Sequence, residues 1–338
     1  ITSVVSPEAQ GKLADVVFQR RYLAQGQRIV VIGGGTGLST MLRGLKQHTS
    51  NIVAVVTVTD DGGSSGRLQR EMGMLPPGDI RNCLVALADA EPMMTELFQY
   101  RFGEETGGFN GHSFGNLLIA AMTRITGDFE KAVKETSNIL AIRGRVLPST
   151  LENVRLQAEL EDGTFVEGET AITKSPSPIK HVMLYPSNVS PLDETLRSIE
   201  LADCIVMGPG SVYTSVIPNL LVRGIPEAIS ESDAVKIYVC NVMTQPGETD
   251  GYKASDHVRA VARHTDRRVF QYVLVNQERP SKELLEKYAA ERQYFVEPDA
   301  AAIREMGYRP IVGDYISQTD VVRHAPEKLA QAILKLIY

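Results

Sequence analysis

The stretch Arg28–Leu45, RIVVIGGGTGLSTMLRGL, decides the fold. An apolar run of strand length enters a turn of closely spaced glycines, and a helix-compatible run leaves it. A strand that hands over to a helix in this way is the opening unit of a parallel α/β sheet. The helix start offers unpaired N–H groups and the positive end of the helix dipole, so the turn reads as an anion site. Gly33, Gly34, Gly35, Thr36, Gly37 and Leu38 are therefore taken as ligand-binding. They match neither common phosphate template. The dinucleotide pattern G-x-G-x-x-G/A can be laid on Gly33 and Gly35, but its last position falls on Leu38. A P-loop ends in G-K-[ST], and the first lysine after Gly37 is Lys46.

Outward from this unit the alternation continues. Residues 28–32, 37–47 and 52–59 read as strand, helix and strand, and helices are expected near 79–90, 92–101, 113–125 and 128–142. Asp79, Ser113 and Asp128 stand where N-caps belong. Between about 145 and 180 the texture changes. VRLQAEL and TFVEGETAI alternate around EDG, which signals a β-hairpin inserted into the α/β protein. Strand–helix alternation then resumes with CIVMGPGSVYTSVIPNLL, AVKIYVCNVMT and RVFQYVLVN, and a last helix falls around 325–337. The expected architecture is a doubly wound, mainly parallel sheet carrying a β-hairpin arm. Residues 1–27 stand apart as an arm or linker, with one amphipathic run, GKLADVVFQRRYLAQ. Residues 28–338 form the nucleotide-binding domain.

Bulk composition excludes several classes. The chain has 338 residues, 43% hydrophobic and 22% charged, which suits an ordinary globular α/β protein. A net charge of −6 gives no general electrostatic case for nucleic acid. Cys83, Cys204 and Cys240 lie far apart without C-x-x-C spacing, and the last two sit in apolar runs, as core residues of a protein kept reduced in the cytoplasm would. The histidines lack zinc spacing, so no transition-metal centre is expected. The chain opens on Ile1 rather than Met, so it reads as a piece of a longer product with room for an upstream membrane segment.

The chemistry-bearing residues cluster at strand ends. Asp60 and Asp61 in TVTDDGGSSGRL lie roughly 25 residues beyond Gly35, near the ~20 expected for a ribose-binding acid. Magnesium held by Asp61 beside a diphosphate is a second reading, and a plain turn is a third. Ser64 follows in the same run. In LPPGDIRN, Asp79 can cap the helix while Arg81 and Asn82 project toward the crevice, arginine offering a planar fork of donors. GFNGHSFGN places His112 and Asn116 at another helix start, where the imidazole can serve as base, phosphate donor or capping partner. Gly208, Gly210, Ser211 and Thr214 form a second anion-type turn, and Asn241 and Thr244 leave a later strand end. No G-x-S-x-G elbow or activated cysteine context supplies a nucleophile.

Taken together, GGGTGLS, TVTDDGGSSGRL, PPGDIRN, GHSFGN, ITGD, RGRVLP, GPGSVYTSVIPNLL and CNVMTQPGET resemble the YvcK family of gluconeogenesis factors, within the CofD-like superfamily of 2-phospho-L-lactate transferase. The resemblance runs from about Arg28 to the C-terminus. It implies a Rossmann-like sheet, a cytoplasmic location and a nucleotide-sugar ligand, UDP-N-acetylglucosamine or UDP-glucose. It also implies a role in cell shape and envelope synthesis during growth on gluconeogenic carbon sources, without an established reaction. Tyr288 in EKYAAE and Arg323 in VVRHAP match the positions that this family uses for the nucleotide sugar. The transferase branch, which shares the glycine loop and the strand-two acids, implies magnesium and a nucleotide diphosphate donor. A ligand-binding regulator is thus the leading expectation, and a magnesium-dependent transferase is the alternative. The expected partners are a UDP-sugar or related nucleotide, a second copy of the chain, and regulatory proteins that the sequence does not identify.

Overall fold

The computed structural model describes residues 21–89, 92–318 and 321–337. Most of the N-terminal arm, including the greater part of its amphipathic run, lies outside these residues. The strands are β1 (Ile29–Gly33), β2 (Ile52–Val56), β3 (Arg145–Pro148), β4 (Arg155–Leu160), β5 (Phe165–Glu167), β6 (Ile179–Tyr185), β7 (Cys204–Met207), β8 (Val235–Val239), β9 (Tyr272–Asn276), β10 (Arg309–Gly313), β11 (Ile316–Gln318) and β12 (Val322–His324). Seven of them form one sheet in the order β10-β9-β8-β7-β1-β2-β3. Every pairing within it is parallel.

The central strands read IVVIG, IVAVV and CIVM because helices cover both faces of the sheet, leaving no polar side. All residues of these three strands are buried. Helix Gly35–Leu45 presses Leu38, Met41, Leu42 and Leu45 into the same core, and the three cysteines are buried there as well. Strand order reverses between β1 and β7. From β1 the chain winds outward to β2 and β3, and from β7 it winds the other way to β10. This is the doubly wound, Rossmann-like plan, and the reversal opens a crevice at the carboxyl ends of β1 and β7.

The hairpin is present, and it gains a third strand. β4 pairs antiparallel with β5 through the EDG turn, and β6 pairs with β4 on the other side. Arg145–Pro148, at the start of the segment read as the arm, instead extends the main sheet by pairing with β2. The arm docks through His181 on β6, whose ring stacks on His264 at 4.2 Å between centroids. His264 accepts from Val182 N–H at 2.9 Å and donates to the Ala260 carbonyl at 2.7 Å, so neither ring nitrogen is idle. Burial holds its pKa down to about 4.

Two of the three expected caps form. Ser113 Oγ accepts from Asn116 N–H and Asp128 Oδ1 from Lys131 N–H, each at the N-cap of its helix. Asp79 does not cap. Its helix, Gly78–Leu87, starts a residue earlier behind Pro77, which leaves Asp79 in the first turn with its carboxyl turned to the glycine loop. Among the described residues no helix is long and apolar enough to cross a membrane.

Candidate functional site

The first loop is shaped by two glycines in particular. Gly35 has φ +69°, a left-handed conformation that a side chain would strain. Gly37 sits so close to the second loop that a Cβ there would stand 2.7 Å from the Pro209 carbonyl oxygen. Helix Gly35–Leu45 has no capping side chain and no acid in its own first turn; the carboxyl of Asp79, from the helix Gly78–Leu87, takes the Gly35 N–H and leaves the later N–H groups of the first turn for the crevice. Leu38, read as part of the loop, is fully buried and packs beneath Gly33. Gly33 holds position through its carbonyl, which accepts from Thr57 N–H at 3.1 Å and from Asn219 Nδ2 at 3.2 Å.

The second loop is already furnished with a carboxylate. Thr214 Oγ1 donates to Glu248 Oε1 at 3.1 Å rather than facing the crevice. The Tyr213 and Thr214 N–H groups and the Ser211 hydroxyl also turn to Glu248. The anion expected at this turn is therefore supplied from within the chain. Around the mouth, Gly210 N–H donates to Asn241 Oδ1 at 3.3 Å, Asn241 Nδ2 to Gln245 Oε1 at 3.2 Å, and Gln245 Nε2 to Ser211 Oγ at 2.6 Å. Each amide fixes the next, which presents a rigid polar wall.

Between the loops lies a cavity of about 260 Å³. Gly35, Thr36, Gly37, Gly210, Ser211, Asn241, Thr244, Tyr288 and Arg323 all line it, so residues scattered over nearly the whole chain meet at one place. Tyr288, on helix Lys282–Ala290, accepts from Val322 N–H through its hydroxyl at 3.0 Å and so ties that helix to β12. Arg323 is the exposed residue of β12. Burial, then the charge of Arg323, depresses the pKa of Arg43, a residue of the last turn of helix Gly35–Leu45. Thr244 turns inward and accepts from Tyr294 N–H at 2.9 Å.

The remaining candidates gather on the opposite flank of the first loop. Asp79 accepts from Gly35 N–H and lies against Gly34. Asp60 Oδ1 accepts from Gly62 N–H at 2.9 Å. Asp61 Oδ1 is engaged by the arm, accepting from Thr170 N–H at 3.0 Å and from Thr170 Oγ1 at 2.8 Å. Arg81 donates to Ser113 Oγ and to Asn82 Oδ1, and Ser64 Oγ joins His112 Nδ1 at 2.9 Å while accepting from Asn116 Nδ2 at 3.1 Å. Among the described residues no three His, Cys, Asp or Glu groups converge closely enough to hold a metal unaided.

Two acids in this region carry no local sequence signal, Glu169 of the arm and Glu248. Burial, then Asp60 and Asp79, pushes Glu169 up to about 9; burial pushes Glu248 up to about 7; burial, then Asp60, pushes Asp79 up to about 6. A carboxyl whose folded pKa is raised keeps its proton after the unfolded chain has lost it. The stability it contributes at low pH is lost as pH climbs from the ordinary carboxylate range through the folded value. The melting temperature is thus expected to fall between about pH 5 and about pH 8, with buried Glu248 dominant because the partly exposed Asp79 and Glu169 are screened. Thermal scans of wild type and Glu248→Gln across that range check this. A wild-type profile as flat as the variant's would contradict it.

The geometry can now be set beside known proteins. Residues 29–316 match the family described as 2-phospho-L-lactate transferase CofD. The Gluconeogenesis factor of Halalkalibacterium halodurans is 51% identical over 311 residues, 91% of this chain and 96% of its own. That of Bacillus subtilis is 48% identical over 316 residues, covering 93% and 99%. A crystal structure of a UPF0052 family member from Bacillus halodurans superposes with a TM-score of 0.89 at 51% identity, over 91% of this chain and 99% of that one. With the doubly wound sheet and its paired glycine loops in place, the chain belongs to the CofD family, in its YvcK branch of UPF0052 gluconeogenesis factors.

Proposed function

We propose that this protein binds a nucleotide sugar, UDP-N-acetylglucosamine or UDP-glucose, and acts as a regulator rather than as an enzyme. The observation that carries the reading is the cavity between the two glycine loops, where the first turn of helix Gly35–Leu45, Tyr288, Arg323 and the Asn241–Gln245 amides face one space. At about 260 Å³ it takes part of the ligand. Binding sites for whole small molecules span roughly 300–1,000 Å³, so the remainder lies along the open crevice. The diphosphate meets the helix N-terminus, a ring stacks on Tyr288, and Arg323 forks onto an oxygen pair. No hydroxyl lining the cavity is hydrogen-bonded to a histidine among the described residues, so nothing there resembles an activated nucleophile. The state of the site is read by partner proteins or a second copy of the chain in the cytoplasm, linking sugar supply to cell shape and envelope synthesis during gluconeogenic growth.

The transferase reading keeps one specific support, the acid pair Asp60 and Asp79, the second of which lies against Gly34 and Gly35. Magnesium is commonly held by one or two carboxylates plus the ligand's own phosphates, and Asp60 and Asp79, close enough to act on each other electrostatically, would share it, whereas Asp61 is tied to the arm through Thr170. There it would neutralise charge on a diphosphate.

Calorimetry with UDP-N-acetylglucosamine tests the main reading. Arg323→Ala is expected to weaken binding by about 1–3 kcal/mol without moving the melting point of the free protein, since Arg323 is exposed. Tyr288→Ala lowers both, because its ring packs against the cluster of Val242, Leu284 and Val322. Unchanged affinity in Arg323→Ala removes the ligand from this cavity. Incubation with magnesium followed by chromatography should return the UDP-sugar intact, and release of UDP or UMP would favour the transferase.

A further inference from the structure

Three arginines from separate elements converge on four consecutive residues. Arg67 of helix Gly63–Met72 donates to the Asn110 carbonyl, Arg101 donates to the Gly111 carbonyl at 2.6 Å, and Arg81 donates to Ser113 Oγ. His112, at the centre of that run, is tied to Ser64 through Nδ1. None of the ion pairs among the described residues includes Arg67, Arg81 or Arg101. The three guanidiniums therefore gather around one histidine, each hydrogen-bonded to neutral acceptors. Burial, then Arg101, weakens the hold of Arg81 on its proton against the pull of Asp79 and Asp60, and burial, then Arg67, does the same to His112 against Glu71, with Arg101 adding to it.

A second observation points to a ligand. Asn116 is 2% exposed and its Oδ1 has no partner, although its Nδ2 is bonded to Ser64. Arg81 Nε is likewise buried and unpartnered. Buried polar atoms are nearly always paired, so two unpaired ones beside a concentration of positive charge leave bonding capacity that suits an acceptor-rich group with a hydroxyl. Guanidinium forks bond to a phosphoryl group more strongly than to the neutral oxygens they now use.

We propose that Arg67, Arg81, Arg101 and His112 form a binding site for a small phosphomonoester, separate from the nucleotide-sugar cavity across the Asp60–Asp79 flank. None of the four lines that cavity. The two sites lie on opposite sides of the first glycine loop, so the protein can register two metabolites at once.

The test is calorimetric titration of glycerol 3-phosphate, with inorganic phosphate as the minimal probe, into the free protein and into protein saturated with UDP-N-acetylglucosamine. Saturable binding is expected in both. Arg101→Gln and Arg67→Gln should each weaken it about 10-fold, and Arg143→Gln, whose guanidinium is paired with Asp89 elsewhere, should not. Arg101 is exposed, so its variant keeps the fold even if Arg81→Gln does not. Three outcomes overturn the proposal: no saturable binding up to about 20 mM, equal affinity in the Arg67→Gln/Arg101→Gln double variant, or competition by UDP-N-acetylglucosamine. A free protein that takes the phosphomonoester but not the UDP-sugar would fault only the cavity reading.

Discussion

Gly37→Ala is expected to cut affinity for UDP-N-acetylglucosamine by about 2–3 kcal/mol, on the order of 30–150-fold. The added carbon would stand 2.7 Å from the Pro209 oxygen, 3.0 Å from the Pro209 carbonyl carbon and 3.3 Å from Gly210 N. All three are main-chain atoms, so no side chain can swing aside to make room. Relief requires the two loops to part, and the space they enclose changes shape. Gly35 makes the useful contrast, since a Cβ there meets only Ser215 Oγ at 3.7 Å. Its cost is the left-handed backbone, about 1–2 kcal/mol, and falls on the fold rather than on the ligand. Titration calorimetry on both variants, alongside their melting curves, separates the two effects. A folded Gly37→Ala protein with wild-type affinity would show that the ligand does not bind between the loops.

The largest loss of stability is expected from Gly44→Val. Gly44 lies on helix Gly35–Leu45 where that helix crosses the start of helix Pro326–Ile337. A Cβ at Gly44 would fall 2.1 Å from the Pro326 carbonyl oxygen and 3.2 Å from Ala330 Cβ. Two γ-methyls enlarge the overlap, and a packed interior answers such insertions with backbone shifts costing about 1–3 kcal/mol or more. For a chain of this size each kcal/mol is worth roughly 2–4 °C, so the melting point should drop by several degrees. A fall smaller than about 2 °C would mean that the helices slide apart freely.

How much of this was legible in the sequence varied with the range of the signal. The strand–glycine–helix unit at Arg28–Leu45 and the hairpin around EDG were readable because their signals are local. Periodicity and turn chemistry act within a few residues. The helix at residue 78 was placed, but its neighbour was misjudged: Asp79 resembles a cap in sequence, and only the glycine loop packed against it shows why it turns inward. Thr214 was read as facing an anion, because nothing near it announces Glu248, 34 residues on, as the group that takes its hydroxyl. Glu169 and Glu248 were missed for the same reason, each being an ordinary charge in a polar stretch until the fold buries it. Tyr288 and Arg323 came from resemblance alone, and both line the cavity.

The position of β1 has a consequence for how the chain is made. β1 is central, yet one of its two neighbours is β7, and Arg28 and Asp203, which lie at the starts of these strands and bond to each other, are 175 residues apart in sequence. At synthesis rates of ~5–20 residues per second, the β7-facing edge of β1 stays open on the ribosome for on the order of 10–30 s. During that time β1, β2 and β3 can pair while a fully apolar strand still exposes a row of unmatched backbone groups, the geometry most prone to recruiting a foreign strand. Until β7 emerges, the nascent first half depends on something other than its own sheet, such as a chaperone that covers the open edge, to avoid association with a foreign strand.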